Sequence, residues 1–397
     1  MKIGLFTDTY YPEVNGVANS VFILKRNLEK AGHEVFVFTA SDCITREISW
    51  DKHLFRIASI PTVGDKRLAL LHNRRWHNII SGLNLDIIHS HTEFTLGILG
   101  RSMARKLDIP YLHTYHTIYE DYTHHFLRVE RLTPLAKKAT RKMSAIYCNS
   151  ANDVIVPTEK VKNLLESYGV YQDIHIIPTG IQLEKYQKEN YSPYQIDHLK
   201  KELGIQPYEK VILFIGRIAK EKNIAELMYF LKEYLLEREY IKFVLIGDGP
   251  ELNNLKELSK ELALEMKILF LGEKPWDLIG HYYQLGDIFV SASQSETQGI
   301  TYVEALTSGL PVVAKRDPCL NDVVIEGKNG FLYDRQDELI SYVDLLLHDA
   351  EMRNKMAETA CASGYRFSEQ GFAQSVSSLY TQIVDRHNQL EGVESEV

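Results

Sequence analysis

Cysteine is scarce and poorly placed for its structural uses. The four in 397 residues, Cys43, Cys148, Cys319 and Cys361, share no metal-ligand spacing and form no paired framework. That argues against a zinc module or a disulfide scaffold and suits a reducing compartment. Nowhere do 18 apolar residues run together, so no bilayer-spanning helix is expected. The opening Met1 to Asp8 meets an acid before the apolar core of a secretory leader could form, and no signal peptide is expected. Short-period repeats and low-complexity tracts are also missing. What is present is ordinary for a globular protein, 45% hydrophobic and 25% charged residues, in a chain long enough for two cores rather than one.

Charge is unevenly shared. Residues 1–190 carry 24 Lys and Arg against 20 Asp and Glu, whereas residues 191–397 carry 21 against 33. The first half is therefore the one to suspect of meeting an anionic surface.

Short apolar runs alternate with helical patterns throughout, which predicts parallel sheets built from β-α units. The first series of strands is expected at Lys2–Phe6, Glu34–Thr39, Asp86–His91, Pro110–His113, Ala145–Asn149, Asp153–Val156 and His175–Ile177. A second series is expected at Lys210–Gly216, Lys242–Ile246, Lys267–Leu271, Asp287–Val290 and Pro311–Ala314. Tyr186 to Pro207, polar and without a strand pattern, reads as the linker. The domains are accordingly placed at 1–190 and 191–368, with a final helical stretch over 369–397. Open α/β sheets bind ligands at the carboxyl ends of their strands, so the site is expected there.

The most informative segment runs from Ser291 to Pro311. A strand leads into a small polar loop carrying Glu296; a helix opens near Gly299 and stops at Gly309, with Glu304 inside it. Backbone N–H groups at Gly299, Ile300 and Thr301 would point at whatever lies between the two carboxylates. Phosphates on a helix end and sugar hydroxyls on carboxylates describe a nucleotide sugar. In Gly216-Arg217-Ile-Ala-Lys220-Glu-Lys222, Arg217 and Lys222 follow a strand and can converge on one diphosphate; Lys220 is the weaker choice. Asn15-Gly16 follows the first strand and opens a helix, or is simply a turn. His116 falls at a strand end, whereas His113 falls within the strand. Gly247-Asp248-Gly249 lacks the third glycine of a dinucleotide fingerprint and reads as a tight βα turn.

Glu296 and Glu304, eight apart between a strand and the following Gly309-to-Ala314 strand, resemble the signature of retaining glycosyltransferases of the fourth family. That resemblance covers the whole chain and implies the GT-B architecture, an α/β fold of two Rossmann-like doubly wound domains facing a cleft. By resemblance, Glu296 holds the hydroxyls of the transferred sugar, Glu304 the ribose, Arg217 and Lys222 the diphosphate without a metal or other cofactor, Gly16 a donor phosphate and His116 the donor sugar. The family also packs its last helix on the first domain. Backbone contacts near Glu273-Lys274-Pro275 would leave the base unreadable. A closer resemblance, carried by Asp8-Thr-Tyr-Tyr-Pro-Glu-Val-Asn-Gly-Val and Thr114-Tyr-His116-Thr-Ile-Tyr-Glu-Asp-Tyr-Thr-His124, is to the bacterial 1,2-diacylglycerol 3-glucosyltransferases. It implies UDP-glucose as donor, diacylglycerol as acceptor, and a cytoplasmic enzyme peripheral on the inner face of the cell membrane.

Residues 66–80 read as a helix with Leu68, Leu71, Trp76, Ile79 and Ile80 on one face and Lys66, Arg67, Arg74 and Arg75 close by. Such a helix either lies in an anionic bilayer interface or packs on the sheet. Residues 61–142 hold 13 basic and 7 acidic side chains, which favours the membrane because each basic group near an anionic leaflet contributes about 1 kcal/mol. Rival readings are a phosphatidylinositol mannosyltransferase-like enzyme, another retaining transferase with a soluble acceptor, and a nucleotide-sugar epimerase or binder of the same fold. No nucleic acid is expected as a partner.

Overall fold

The computed structural model describes residues 1–13, 15–41, 53–61, 67–71, 74–122 and 133–394. The chain forms two compact units, Met1–Gly180 with Glu369–Val397, and Ile181–Ser368.

The first unit runs β1 (Lys2–Thr7), α1 (Gly16–Lys30), β2 (Glu34–Ala40), β3 (Leu54–Ile57), β4 (Ser59–Pro61), β5 (Arg67–Ala69), α2 (Arg74–Gly82), β6 (Ile87–Ser90), α3 (Thr95–Leu107), β7 (Tyr111–Thr114), α4 (Thr133–Cys148), β8 (Asp153–Val156), α5 (Glu159–Ser167) and β9 (Asp173–Ile176). Seven parallel strands are ordered β3-β2-β1-β6-β7-β8-β9, with β4 and β5 as a separate antiparallel pair. The central strands are apolar on both faces because helices cover both. Register follows from that packing: Phe6 pairs with Phe38 and Phe38 with Phe55. Their rings stack at 4.6 and 4.8 Å.

The second unit runs α6 (Pro193–Glu202), β10 (Lys210–Ile215), α7 (Ile224–Leu236), β11 (Ile241–Ile246), α8 (Leu252–Glu261), β12 (Ile268–Phe270), α9 (Ile279–Tyr283), β13 (Ile288–Ser291), α10 (Ile300–Thr307), β14 (Val312–Lys315), β15 (Gly330–Tyr333), α11 (Gln336–His348) and α12 (Ala350–Gly364). Its parallel sheet is ordered β12-β11-β10-β13-β14-β15. The last helix, α13 (Glu369–Glu394), belongs to the first unit. Phe372, Val376, Leu379, Tyr380 and Ile383 recur at helical spacing and join the core formed by Val21, Leu24 and Leu28 of α1 with β1 and β2.

Three expectations need correction. Ala145–Asn149 is no strand: Ala145, Tyr147 and Cys148 are the buried positions of the last turns of α4. A short apolar run cannot by itself distinguish strand from buried helix, and the helix formers of residues 135–143 decide for helix. The supposed linker contains α6, capped by a Ser192–Gln195 capping box with Pro193 at its start, and lies within the second unit. Finally, residues 66–80 are not one helix. Arg67–Ala69 is a strand pairing with Ser59–Pro61, and the helix begins only at Arg74.

Candidate functional site

Each sheet reverses its strand order once, and the loops beyond such a reversal leave a crevice at the carboxyl ends of the strands. In the second unit the reversal lies between β10 and β13, which pair through Ile212–Ile288 and Leu213–Phe289. The loop after β10 carries Arg217 and Lys222; that after β13 carries Glu296 and Gly299. Neighbouring strands thus bring together residues about 75 positions apart. Lys222 Nζ donates directly to Glu296, an ion pair with both side chains mostly enclosed. The sequence motifs named both residues without foreseeing that they pair. Arg217 is exposed at the same strand end. The expected convergence of Arg217 and Lys222 on one anion is therefore represented here by Lys222 held on a carboxylate and Arg217 standing in solvent.

Gly299 has φ 73°, in the left-handed region, and a Cβ there would lie 2.7 Å from the Tyr302 ring. Glycine is required at this N-cap, and it aims the first-turn N–H groups of α10, those of Ile300 and Thr301 among them, out of the helix end. At Gly247 a Cβ would fall 1.9 Å from the Gly216 carbonyl oxygen, so the β11 turn packs backbone against the loop bearing Arg217.

Glu304, on the second turn of α10, is gripped from two sides. Tyr186 OH donates to Oε1 at 2.5 Å and Tyr283 OH to Oε2 at 2.7 Å. Burial pushes its pKa above the ordinary carboxylate range, while both tyrosines and the Lys185 charge pull the other way. A carboxylate accepts about four hydrogen bonds, so two further hydroxyl donors can be served. Lys185 Nζ sits 3.0 Å over the Trp276 ring, and burial lowers its pKa to about 8. Sequence reasoning missed Tyr186, Tyr283, Lys185 and Trp276. Their only signal was the abundance of tyrosine, which names no position.

In the first unit the reversal lies between β1 and β6. Gly16 starts α1 and is exposed. The preceding Asn15 caps the helix, its Oδ1 accepting from Ala18 N at 2.9 Å. Asp8, just beyond β1, accepts from Thr92 Oγ1 at 2.6 Å, Thr95 Oγ1 at 2.5 Å and Leu96 N at 3.1 Å. It thereby ties the end of β1 to the start of α3, and burial raises its pKa. His116 follows β7, with Nε2 3.1 Å from His91 Nδ1 and the rings stacked at 5.4 Å. Burial and the neighbouring His113 lower the His116 pKa to about 3, so its imidazole is neutral. His113 is wholly buried, between Ser90 and Glu93.

The residues assigned to a membrane face part company. Lys66 lies outside the described residues. Arg67 is turned inward, donating to the Ser41 carbonyl oxygen and Ser59 Oγ at 2.8 and 2.7 Å. Trp76 and Ile80 are in the core, whereas Leu68, Arg74 and Arg75 are exposed. Of the apolar positions that suggested a bilayer-facing stripe, Trp76, Ile79 and Ile80 pack on the core from α2 and Leu71 packs against it from the preceding segment, while Leu68 lies exposed on β5. Among the described residues no group of three His, Cys, Asp or Glu could hold a metal ion, and no helix is long and apolar enough to cross a membrane.

Comparison with known proteins adds three findings. Residues 14–185 match the family described as Glycosyltransferase Family 4, and residues 195–362 that described as Glycosyl transferases group 1. The chain is 38% identical to the alpha-monoglucosyldiacylglycerol synthase of Streptococcus pneumoniae over 98% of its length and 87% of that protein's. It is 35% identical to the Acholeplasma laidlawii protein of that name, over 98% of both chains. Among solved structures, Anabaena HepE in complex with UDP superposes with a TM-score of 0.75 at 20% identity, covering 96% of this chain and all of that one. A sucrose-phosphate synthase from Thermosynechococcus elongatus gives 0.76 at 19% identity, covering 97% and 99%. At such identities these two speak for the fold alone.

Proposed function

The chain belongs to the GT-B glycosyltransferases, in the family of the alpha-monoglucosyldiacylglycerol synthases, and from that premise we propose that it moves glucose from UDP-glucose to 1,2-diacylglycerol, retaining the α configuration, at an anionic membrane surface. The observation that carries the reading is the arrangement around α10: Glu296 ahead of its N-terminus, Glu304 within it, and Lys222 from the neighbouring strand end held on Glu296. The names of the two relatives supply the acceptor and the sugar.

In this reading Glu304 takes the ribose hydroxyls through its remaining lone pairs, and the α10 N-terminus with Arg217, Lys222 and Gly16 takes the diphosphate. Glu296 takes the hydroxyls of the transferred glucose, and His116 contacts the same sugar. The acceptor oxygen bonds to the anomeric carbon as the bond to the β-phosphate oxygen breaks on the same face. The acceptor proton passes to that phosphate oxygen, leaving UDP. Cationic side chains and oriented N–H groups stabilise the developing charge, and preorganised electrostatics of this kind usually contributes more to catalysis than any other single effect. No metal is assigned.

The test is transfer from radiolabelled UDP-glucose and GDP-mannose, with and without diacylglycerol in vesicles, in excess EDTA. Labelled glycolipid from UDP-glucose alone supports the reading. Product from GDP-mannose points to a mannosyltransferase, release of free sugar or an epimer removes the acceptor assignment, and dependence on a divalent cation removes the metal-free account.

A further inference from the structure

Trp76, Ile80 and Arg67 are turned inward while Leu68, Leu70, Arg74 and Arg75 stay exposed, so a second surface that combines exposed apolar and basic side chains is worth seeking on the first unit. The helix α4 offers one. Its inner side, Ser144, Ala145, Tyr147 and Cys148, is buried. Its outer side shows Lys138, Ala139, Lys142, Met143 and Ile146. At 3.6 residues per turn these five fall within roughly 140° of the helix circumference, with Ile146 near the middle, Met143 at one edge and the two lysines at the other. Met143 is 71% exposed and Ile146 57%, so two large apolar side chains stand in water on the face that also carries the two lysines.

The helix carries Lys137, Lys138, Arg141 and Lys142 and no acidic residue. Glu120 engages Arg141 at 2.8 and 2.5 Å and Lys137 at 3.7 Å. The charge of that edge is thus met within the protein, while Lys138 and Lys142 face solvent. We propose that α4 docks the first unit on an anionic leaflet, with Ile146 and Met143 entering the headgroup boundary and Lys138 and Lys142 meeting lipid phosphates. Lysine suits that edge because its methylene stem lies along apolar surface while the ammonium stays in water. The proposal rests on the membrane-surface reading above and names the surface that reading requires.

Sedimentation with vesicles of equimolar phosphatidylglycerol and phosphatidylcholine tests it on the full chain. Two lysines contributing about fivefold each in binding predict a roughly 30-fold weaker association for Lys138→Gln/Lys142→Gln. Met143→Ser/Ile146→Ser should also bind more weakly and keep its salt dependence, whereas Arg74→Gln/Arg75→Gln should bind like the natural protein. All are surface changes, and unchanged melting temperatures verify folding. Undiminished binding of both α4 variants overturns the docking assignment alone; failure of the unaltered protein to sediment overturns the membrane reading itself.

One unpartnered atom carries a second inference. His91 is buried, and its Nε2 finds no hydrogen-bond partner among the described residues, while Nδ1 lies against His116 Nε2. Were Nδ1 the acceptor, neutral His91 would bury an orphaned N–H on Nε2, which proteins avoid more strictly than an orphaned acceptor. We infer that His91 Nδ1–H donates to His116 Nε2 and so holds the His116 proton on Nδ1, making His91 a positioning residue for the sugar-contacting imidazole. Nitrogen-15 NMR of the labelled protein should show His116 protonated at Nδ1. His91→Ala should mix the tautomers and lower kcat about tenfold with little change in KM for UDP-glucose, and His91→Asn, which restores a donor, should recover much of the loss. A His116 proton found on Nε2 overturns the inference; full activity of His116→Ala overturns instead the sugar contact assigned to His116.

Discussion

Replacing Glu304 by Gln should separate what this residue does for the donor from what it does to the fold. Two phenols grip the carboxylate, yet burial outweighs them and its pKa stands above the ordinary range. Between the unfolded and the folded pKa the folded protein binds more protons, so stability falls as pH rises through that window and stays lower above it. Glutamine keeps the shape, still meets both phenols and does not titrate. Near neutral pH the variant should therefore melt at or above the temperature of the unaltered protein, and this advantage should shrink as pH falls toward about 4.3, the usual value for Glu. Donor binding should move the other way. Losing one charge-assisted hydrogen bond to the ribose costs roughly 1.5–3 kcal/mol, equivalent to a UDP Kd raised about 10- to 150-fold. Calorimetric titration with UDP and melting curves across the acid range give both readouts. A variant that binds UDP normally yet melts far lower at neutral pH would refute the reasoning, leaving Glu304 as a purely structural anchor.

Glu296→Gln should keep UDP affinity and lose transfer by about 30- to 900-fold, the equivalent of roughly 2–4 kcal/mol of barrier; near-normal turnover would remove its assignment to the transferred sugar. Arg217→Ala should lower the rate in excess EDTA with little change in melting temperature, since its side chain is exposed, and Lys222→Ala should lower the rate with a modest fall in melting temperature, because Glu296 loses its partner in a mostly enclosed ion pair. Rescue of either variant by a divalent cation would show that charge at the diphosphate is the missing element, and a collapse in melting temperature would contradict the role. Asp8→Ala strips acceptors from Thr92, Thr95 and the Leu96 amide, so thermal unfolding should show a loss of about 1–3 kcal/mol whatever its effect on activity.

The second unit was readable because its chemistry is local. Strand, loop, Glu296, Gly299 and α10 follow one another in sequence, and the spacing of Glu296 and Glu304 survives folding because a capped helix fixes it. What was not readable is what arrives from elsewhere. Tyr186 reaches Glu304 from 118 residues away and Lys222 reaches Glu296 from 74, through strand order that no single segment states. The misreadings have a common physical origin. An apolar stripe records that a face is covered, without saying whether lipid, sheet or another helix covers it. Trp76 and Ile80 are covered by the core, and Ala145, Tyr147 and Cys148 belong to a helix rather than a strand.

For the same physical reason residues 66–80 drew attention ahead of the basic residues between Arg128 and Lys142, which the sequence offers as a second choice and which overlap α4. In residues 66–80 the apolar and basic groups are dense, and density is what a sequence displays. In α4 the apolar residues divide between two faces: Ala145, Tyr147 and Cys148 inward, Met143 and Ile146 outward. Only the burial of the first set reveals that the second has been left in water. The acids divide likewise, since Glu120 lies outside the helix and answers just one edge of it. A surface suited to an anionic leaflet is thus a remainder, the cations and apolar groups left over after core and ion pairs have taken theirs. That remainder takes shape only once the chain has folded.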